Sequence, residues 1–138
     1  AKVSPGLVHQ ILDSGSIPVI APVAVNRLDD SERSGTLLNI NADSAAGEIA
    51  AALEADRLIF LTDVEGIQDS SRRLIPRLTS HQARLLIDSG TVVGGMIPKV
   101  EACLATLRKV SITQIIDGRK QRSLLDFLEG KAMGTRVG

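Results

Sequence analysis

The chain has 138 residues, the size of one ordinary domain or of one lobe of a larger protein. Its 16 basic and 16 acidic residues balance and aromatic residues make up only 1%, which argues against the basic surface and the stacking side chains of a nucleic-acid-binding protein. Because 43% of the residues are hydrophobic, the core must be built mainly from Leu, Ile, Val and Ala, as in layered α/β proteins.

The first part of the chain predicts a helix, a hairpin and a second helix. Ser4 and Pro5 suit the N-cap and first position of a helix that ends at Gly15. Residues 17–25 have β character interrupted by two prolines, residues 26–35 are a polar hairpin tip, and residues 36–40 return as a strand. A helix with a mostly alanine apolar face follows at residues 41–55.

The remaining elements alternate between strand and helix. The apolar run at residues 57–62 does not alternate with polar residues, which predicts a strand covered on both faces. In order, the sequence then predicts a loop at 63–73, a short strand at 74–78, a capping-box helix from Thr79 to Asp88, a helix at 98–109, a strand at 111–116, a helix at 122–128 and a strand at 134–137. We therefore expect a three-layer α/β/α fold with a largely parallel central sheet plus a β-hairpin.

Cysteine use and hydropathy bear on the compartment. The single cysteine, Cys103, leaves no internal disulfide and suits a reducing environment. No apolar run approaches the roughly 18 residues of a membrane span, and no leader-like segment opens the sequence. We expect a cytoplasmic protein, although a mature organellar protein would look the same.

Three polar residues surround the predicted junction between the second strand and the following helix. Asn41 as a cap and Asp43 in the first turn have a simple structural explanation, because both stabilise a helix start. Asn39 has no such explanation, since strands favour β-branched residues over amides. A helix N-terminus with amides and one carboxylate could also hold an anionic substrate and orient a cation.

The segment Thr62-Asp63-x-x-Gly66 directly follows the apolar strand. It could be a strand-ending turn in which Asp63 binds backbone amides and Gly66 takes positive φ. The other interpretation, a loop around a nucleotide, rests on the rule that ligands of parallel sheets bind at the carboxyl ends of the strands, and by itself it is a weak signal. The glycine patterns of the Rossmann and Walker phosphate loops are both absent from the sequence.

The motif Gly94-Gly95-x-x-x-Lys99 places a lysine at the start of a predicted helix. A cation there opposes the helix dipole, so a purely structural sequence would favour an acidic residue. An anion held between Lys99 and the helix end would explain the lysine, and phosphoryl transfer requires such a cation.

Other polar residues have structural interpretations. His9 and His81 lie far apart without metal-ligand spacing, so we predict no metal site. Cys103 lies in an apolar helix stripe, and Asp117-Gly118-Arg119 is a strand-end loop to which we assign little functional weight.

Taken together, these motifs resemble the acetylglutamate kinases of the amino acid kinase family. The resemblance extends over nearly the whole chain, and its motifs occur in the family's order: residues 39–43, Ala45-Ala46, residues 61–67, residues 95–100, residues 116–119 and Gly134-Thr135.

The resemblance implies the C-terminal lobe of the amino acid kinase fold, spanning residues 1–138. It implies ATP-dependent phosphorylation of the side-chain carboxylate of N-acetyl-L-glutamate for arginine biosynthesis, with Mg²⁺ as the companion of ATP. Lys99 and Asp43 correspond to catalytic residues, and Asn39 and Asn41 to substrate-binding residues. The nucleotide-binding positions implied are Thr62, Asp63, Val64, Gly66, Ile67, Gln68, Val93, Gly94, Gly95 and Met96.

The family's N-terminal lobe, with its glycine-rich substrate loops and a second lysine, has no counterpart in the chain. We therefore expect negligible kinase activity from these residues alone, and a homo-oligomer only for a full-length protein. Two hypotheses follow. The chain is either the ATP-binding half of an acetylglutamate kinase or a non-catalytic nucleotide-binding or regulatory module of the same fold.

Overall fold

The computed structural model describes residues 3–26 and 35–138. Most of the predicted hairpin tip, residues 27–34, therefore lies outside the described residues. The helices and strands in chain order are α1 Gly6–Asp13, β1 Val23–Val25, β2 Leu37–Asn39, α2 Ala42–Ala52, β3 Arg57–Thr62, β4 Arg77–Leu78, α3 Ser80–Asp88, α4 Met96–Thr106, β5 Ile112–Asp117, α5 Ser123–Leu128 and β6 Thr135–Val137.

The central sheet has four strands in the order β3-β5-β6-β4. β5 pairs with β3 in parallel and with β6 in antiparallel fashion, and β6 pairs with β4 in parallel. β1 and β2 form a separate antiparallel hairpin, with Val23 opposite Asn39. The predicted α/β fold with a largely parallel sheet and a β-hairpin is confirmed.

Helices cover both faces of the sheet. α2 and α4 run side by side in the same direction, since Asp43 pairs with Lys99 at their N-terminal ends and Glu54 with Lys109 beyond their C-terminal ends. At Gly47 of α2, an added Cβ would lie 3.2 Å from the Cβ of Ala102, so small residues let the two helices approach closely. α5 lies toward the other face, where the guanidinium of Arg57 is 5.8 Å from the ring centroid of Phe127.

The core lies between the sheet and the pair α2 and α4. It includes Leu58 and Phe60 of β3, Ile115 of β5, and Val100 and Cys103 of α4, all at most 7% exposed. The prediction that Cys103 is a buried small hydrophobe is confirmed.

Two predicted strands differ from the observed ones. Of the predicted strand 17–25 only Val23–Val25 form the ladder with β2, because Pro22 has no N–H to donate and contributes only its carbonyl oxygen, to the Ile40 amide. β3 has the predicted bounds but is fully buried on one face only: Leu58 and Phe60 are at most 7% exposed, whereas Leu61, on the other face, is 51% exposed. Its unbroken apolar run therefore did not indicate complete burial.

Helix starts follow local chemistry, with two corrections. The predicted capping box is confirmed, since the Thr79 and Gln82 side chains each accept a hydrogen bond from the other's backbone N–H. α1 begins one residue later than expected, with Pro5 rather than Ser4 as the N-cap and no side-chain cap. α4 begins at Met96, not Pro98, because proline is tolerated in a first turn, where its missing N–H has no helical partner.

Residues 3–22 carry much exposed apolar surface. Leu7 of α1 is 68% exposed, and Ile17 and Val19 are 89% and 96% exposed. An apolar groove of about 330 Å³ separates the segment 18–22 from α2, with Ile20, Pro22, Ala46 and Ile49 among its lining residues. Among the described residues, no helix is long and apolar enough to cross a membrane.

Candidate functional site

The chain topology brings four polar segments together at the carboxyl edge of the sheet, which is the end where the parallel strands β3 and β5 terminate. β3 and β5 are parallel, so the segments that begin at their last residues, residues 62–68 (the β3 loop) and residues 117–120 (the β5 turn), lie at the same edge. α2 and α4 each lead into one of these strands through a short connection, so their N-termini lie at that edge as well. In open α/β sheets, this carboxyl edge is where ligands bind.

Lys99 and Asp43 form a half-buried ion pair at the N-termini of α4 and α2. The Nζ atom of Lys99 donates to Oδ2 of Asp43 at 3.0 Å and to the backbone oxygen of Gly95 at 3.3 Å. The Lys99 and Asp43 side chains are 22% and 19% exposed. The carboxylate of Asp43 offsets the charge of Lys99, which explains how a lysine is accommodated as the fourth residue of α4.

Asn41 and Asn39 flank the same ion pair in sequence. The Asn41 side chain accepts a 2.9 Å hydrogen bond from the Ser44 amide, which confirms its structural role as the N-cap of α2. Asn39 is the last residue of β2 and is exposed. Both amides therefore lie close in sequence to the Asp43–Lys99 pair, at the surface.

The β3 loop is anchored at both ends. At its start, the hydroxyl of Thr62 donates to the backbone oxygen of Val64 at 2.8 Å. At its far end, the amide of Ile67 donates to Oγ1 of Thr135 at 2.8 Å, and Gln68 forms a bridge with Leu74.

Individual residues of the β3 loop differ in what they offer a ligand. Asp63 and Val64 are exposed. Gly66 is needed because its φ is +151° and an added Cβ would lie 2.7 Å from Oγ1 of Thr135. The Ile67 side chain is only 2% exposed and belongs to the core, so Ile67 anchors the loop.

The glycine-containing segment before α4 is open. Gly94 has φ +56°, and an added Cβ would meet nothing within 4 Å at either Gly94 or Gly95. Val93 is 63% exposed, whereas Met96 is half-buried and packs against the core. Gly94 and Gly95 therefore border space that a ligand could occupy, whereas the Met96 and Ile97 amides at the start of α4 already donate to the Val93 and Gly94 carbonyl oxygens.

Sequence reasoning undervalued two features of the site. Thr135 is fully buried, and its hydroxyl both accepts from Ile67 and donates to the Ile75 backbone oxygen at 2.7 Å, which fixes the β3 loop against β6. The β5 turn, which the sequence pattern predicts only as a strand-end loop, contains an Asp117–Arg119 pair with three hydrogen bonds. The motif Asp-Gly-Arg at a strand end was the available signal.

The Asp117 carboxyl group makes acid stability a measurable property of the β5 turn. The hydrogen bonds from Arg119 lower the Asp117 pKa from 3.8 to about 2. Because the folded-state pKa is the lower one, this carboxylate stabilises the fold above pH 3.8 and loses that contribution as the pH falls toward 2. We expect Asp117→Asn to reduce the free energy of unfolding at pH 7 and to flatten its decline over this acidic range. Urea titrations at a series of pH values test this, and an unchanged slope in the variant would contradict it.

Comparison with known proteins defines the family. The model of the amino acid kinase family matches residues 1–116. The chain belongs to the amino acid kinase family. This amino acid kinase chain is 45% identical over 140 residues to an acetylglutamate kinase of Rhodospirillum centenum, covering 99% of the chain and 44% of that relative. It is 48% identical over 141 residues to an acetylglutamate kinase of Gloeobacter violaceus, covering 99% of the chain and 45% of that relative. The chain thus spans about half the length of the curated relatives it matches.

Solved structures have the same fold. The smu.665 protein of Streptococcus mutans UA159 matches this amino acid kinase chain with a TM-score of 0.80 and 30% identity, over 99% of the chain and 49% of its own. An N-acetylglutamate synthase of Neisseria gonorrhoeae, complexed with coenzyme A and L-arginine, matches with a TM-score of 0.85 and 25% identity, over 100% of the chain and 31% of its own.

Proposed function

We propose that the chain is the nucleotide-binding half of an acetylglutamate kinase. A protein that contains it would phosphorylate the side-chain carboxylate of N-acetyl-L-glutamate, in arginine biosynthesis in the cytoplasm. The observation that carries the proposal is the Lys99–Asp43 ion pair at the N-termini of two helices, at the carboxyl edge of the sheet. The curated relatives that match the chain are acetylglutamate kinases, which supports the same assignment.

ATP would bind between the β3 loop and the segment before α4. Residues 62–64 and 66–68 would form one wall, and Val93, Gly94, Gly95 and Met96 the other. A phosphate group would approach the backbone at Gly94 and Gly95, where no side chain blocks the open space. ATP would supply the phosphoryl group, and Mg²⁺ would enter with it, held chiefly by phosphate oxygens.

Lys99 would neutralise charge on the phosphoryl group, and Asp43 would hold the ammonium group in place. The 3.0 Å contact with Oδ2 restrains the end of a flexible side chain, so less conformational freedom remains to be lost when substrate binds. Asn39 and Asn41 would contact the acetylglutamate. Asn41 already caps α2 through its Oδ1 atom, which accepts from the helix. Its Nδ2 atom would donate a hydrogen bond to the substrate.

The exposed apolar surface supports a role for a second lobe. The groove between residues 18–22 and α2 is almost entirely apolar, and Ile17 and Val19 are nearly fully exposed. Surfaces of this kind commonly mark an interface. We assign this one to the N-terminal lobe that the longer relatives would supply.

Titration of MgADP into the chain is the direct test of the nucleotide site, with Asp63→Ala as the site variant and Asp56→Ala, at the opposite edge of the sheet, as the control. We expect saturable binding that Asp63→Ala weakens and Asp56→Ala does not. Absence of binding by a folded chain would contradict an independently assembled nucleotide site.

Kinase activity is expected only when the N-terminal half is restored. The chain alone should yield no acyl phosphate above background, because in-line transfer requires both reactants to be positioned. Joining it to the N-terminal half of the Rhodospirillum centenum relative should yield acyl phosphate that hydroxylamine traps as the hydroxamate. A clear signal from the chain alone, or none from a folded hybrid, would contradict this expectation.

A non-catalytic regulatory module is the second candidate. It is favoured by the similarity of the fold to the Neisseria gonorrhoeae N-acetylglutamate synthase that was solved with L-arginine. A regulatory module would bind L-arginine without depending on Lys99, so parallel titrations of L-arginine and MgADP into the chain and its Lys99→Ala variant separate the two functions.

A further inference from the structure

The β5 turn is joined directly to the β3 loop. The amide of Gly118 donates to the backbone oxygen of Thr62 at 2.8 Å, and the ammonium group of Lys120 pairs with the carboxylate of Glu65. An added Cβ on Gly118 would lie 2.9 Å from the Cβ of Leu61, so the β5 turn also packs directly against the end of β3. The β5 turn therefore contacts the β3 loop at Thr62 and at Glu65.

The shape of the β5 turn depends on one acid–base pair. Oδ1 of Asp117 accepts hydrogen bonds from the backbone amide and the Nε atom of Arg119, each at 3.0 Å. Oδ2 accepts a third, from Nη2 at 2.9 Å. This bidentate arrangement matches the planar guanidinium, and a lysine has no equivalent set of donors.

The same guanidinium acts electrostatically on the β3 loop. The hydrogen bonds to Asp117 are the main cause of the raised pKa of Arg119, and the nearby charges of Asp63 and Glu65 in the loop add to it. Asp117 is buried whereas the Arg119 side chain is 66% exposed, so the guanidinium is held in place from the Asp117 side.

We propose that Asp117 and Arg119 are positioning residues that hold the β3 loop in its binding conformation. The Lys120–Glu65 ion pair is a second connection between the β5 turn and the loop. The part concerning ligand affinity rests on the proposed nucleotide-binding function. The part concerning loop order rests on the contacts alone.

The chain contains a matched control for each of the two ion pairs, Asp117–Arg119 and Glu65–Lys120. Asp69 and Arg73 repeat the chemistry of the Asp117–Arg119 pair: Oδ1 of Asp69 accepts from the Arg73 amide at 2.9 Å, and Oδ2 accepts from Nε at 3.0 Å. That pair closes its own turn, at residues 69–73. The exposed pair Glu54–Lys109 matches Glu65–Lys120 in residue types and lies at the opposite edge of the sheet.

The test compares Arg119→Ala with Arg73→Ala, and Lys120→Ala with Lys109→Ala. For each variant, amide hydrogen exchange is measured at Val64 and Gly118, together with the dissociation constant for MgADP and the free energy of unfolding. We expect Arg119→Ala to speed exchange at Val64 and Gly118 by about tenfold and to raise the MgADP dissociation constant by a similar factor. Arg119→Lys should not restore either value, and Lys120→Ala should give smaller changes in the same direction.

Two results would overturn the proposal. One is exchange at Val64 and Gly118 that is no faster in Arg119→Ala than in Arg73→Ala. The other is a rise that is equal at these amides and at core amides such as that of Ile115, which would indicate general destabilisation. If the unsubstituted chain binds no MgADP, the proposed nucleotide-binding function fails, and the exchange rates still decide whether Arg119 orders the loop.

Discussion

Replacing Lys99 by alanine is expected to lower kcat for acetylglutamate phosphorylation by about 10²- to 10³-fold in the hybrid that restores the N-terminal half. This is the size of effect seen when one preorganised donor to a developing negative charge is removed. Lys99 has the required geometry, because its Nζ atom is held by Asp43 at 3.0 Å and by the Gly95 carbonyl at 3.3 Å. Steady-state kinetics with hydroxylamine trapping give kcat and KM for each substrate.

Two comparisons make the Lys99 result specific. Lys109→Ala removes a lysine just beyond the C-terminal end of α4, whose partner is the exposed Glu54, and should leave kcat unchanged. Asp43→Asn keeps the shape of the partner but removes its charge, so it should lower kcat less than the lysine substitution does. A kcat for Lys99→Ala within about twofold of the unsubstituted hybrid would contradict a role for Lys99 in charge stabilisation.

Gly134→Ala is expected to cause a large loss of stability, although it adds only one methyl group. Gly134 has φ +67°, and its new Cβ would fall on the Ile115 carbonyl oxygen and lie 2.7 Å from Cγ2 of Ile116. The left-handed backbone costs about 1–2 kcal/mol for a residue with a Cβ, and overpacking adds about 1–3 kcal/mol. That sum is a large share of the about 5–15 kcal/mol that stabilises a typical domain.

The matched control for this substitution is Gly90→Ala. Gly90 has nearly the same φ, +70°, but an added Cβ there would meet nothing within 4 Å. The Gly90→Ala variant should lose only the free energy due to the left-handed backbone, about 1–2 kcal/mol. Chemical denaturation followed by circular dichroism gives both free energies of unfolding. If both variants lost the same free energy of unfolding, the contact between residue 134 and β5 would not contribute to the destabilisation.

Local chemistry explains the features that could be predicted from sequence. The capping box of Thr79 and Gln82, the cap at Asn41 and the bounds of β3 depend on residues within one turn or one short run, so pattern and residue type suffice. Alternating helices and apolar strands likewise indicated the α/β class.

The environment of β3 could not be predicted in this way. Its continuous apolar run is typical of a strand covered on both faces, yet β3 lies at the sheet edge with Leu61 half-exposed. Position within a sheet depends on which other strands pair, and those strands come from distant parts of the chain. The antiparallel pairing of β6 with β5 is a second example.

The features of the candidate site also fall into those that the sequence predicted and those that only the structure showed. Residue types and their order were enough to predict the polar segments after the strands, the lysine near a helix start and the resemblance to the amino acid kinases. The folded chain was needed to show that Asp43 neutralises Lys99 across 56 residues of sequence, and that Gly118 and Lys120 tie the β5 turn to the β3 loop. The physical reason is that ion pairs and hydrogen bonds between distant residues depend on the packing of α2 against α4 and of β3 against β5, which no local pattern specifies.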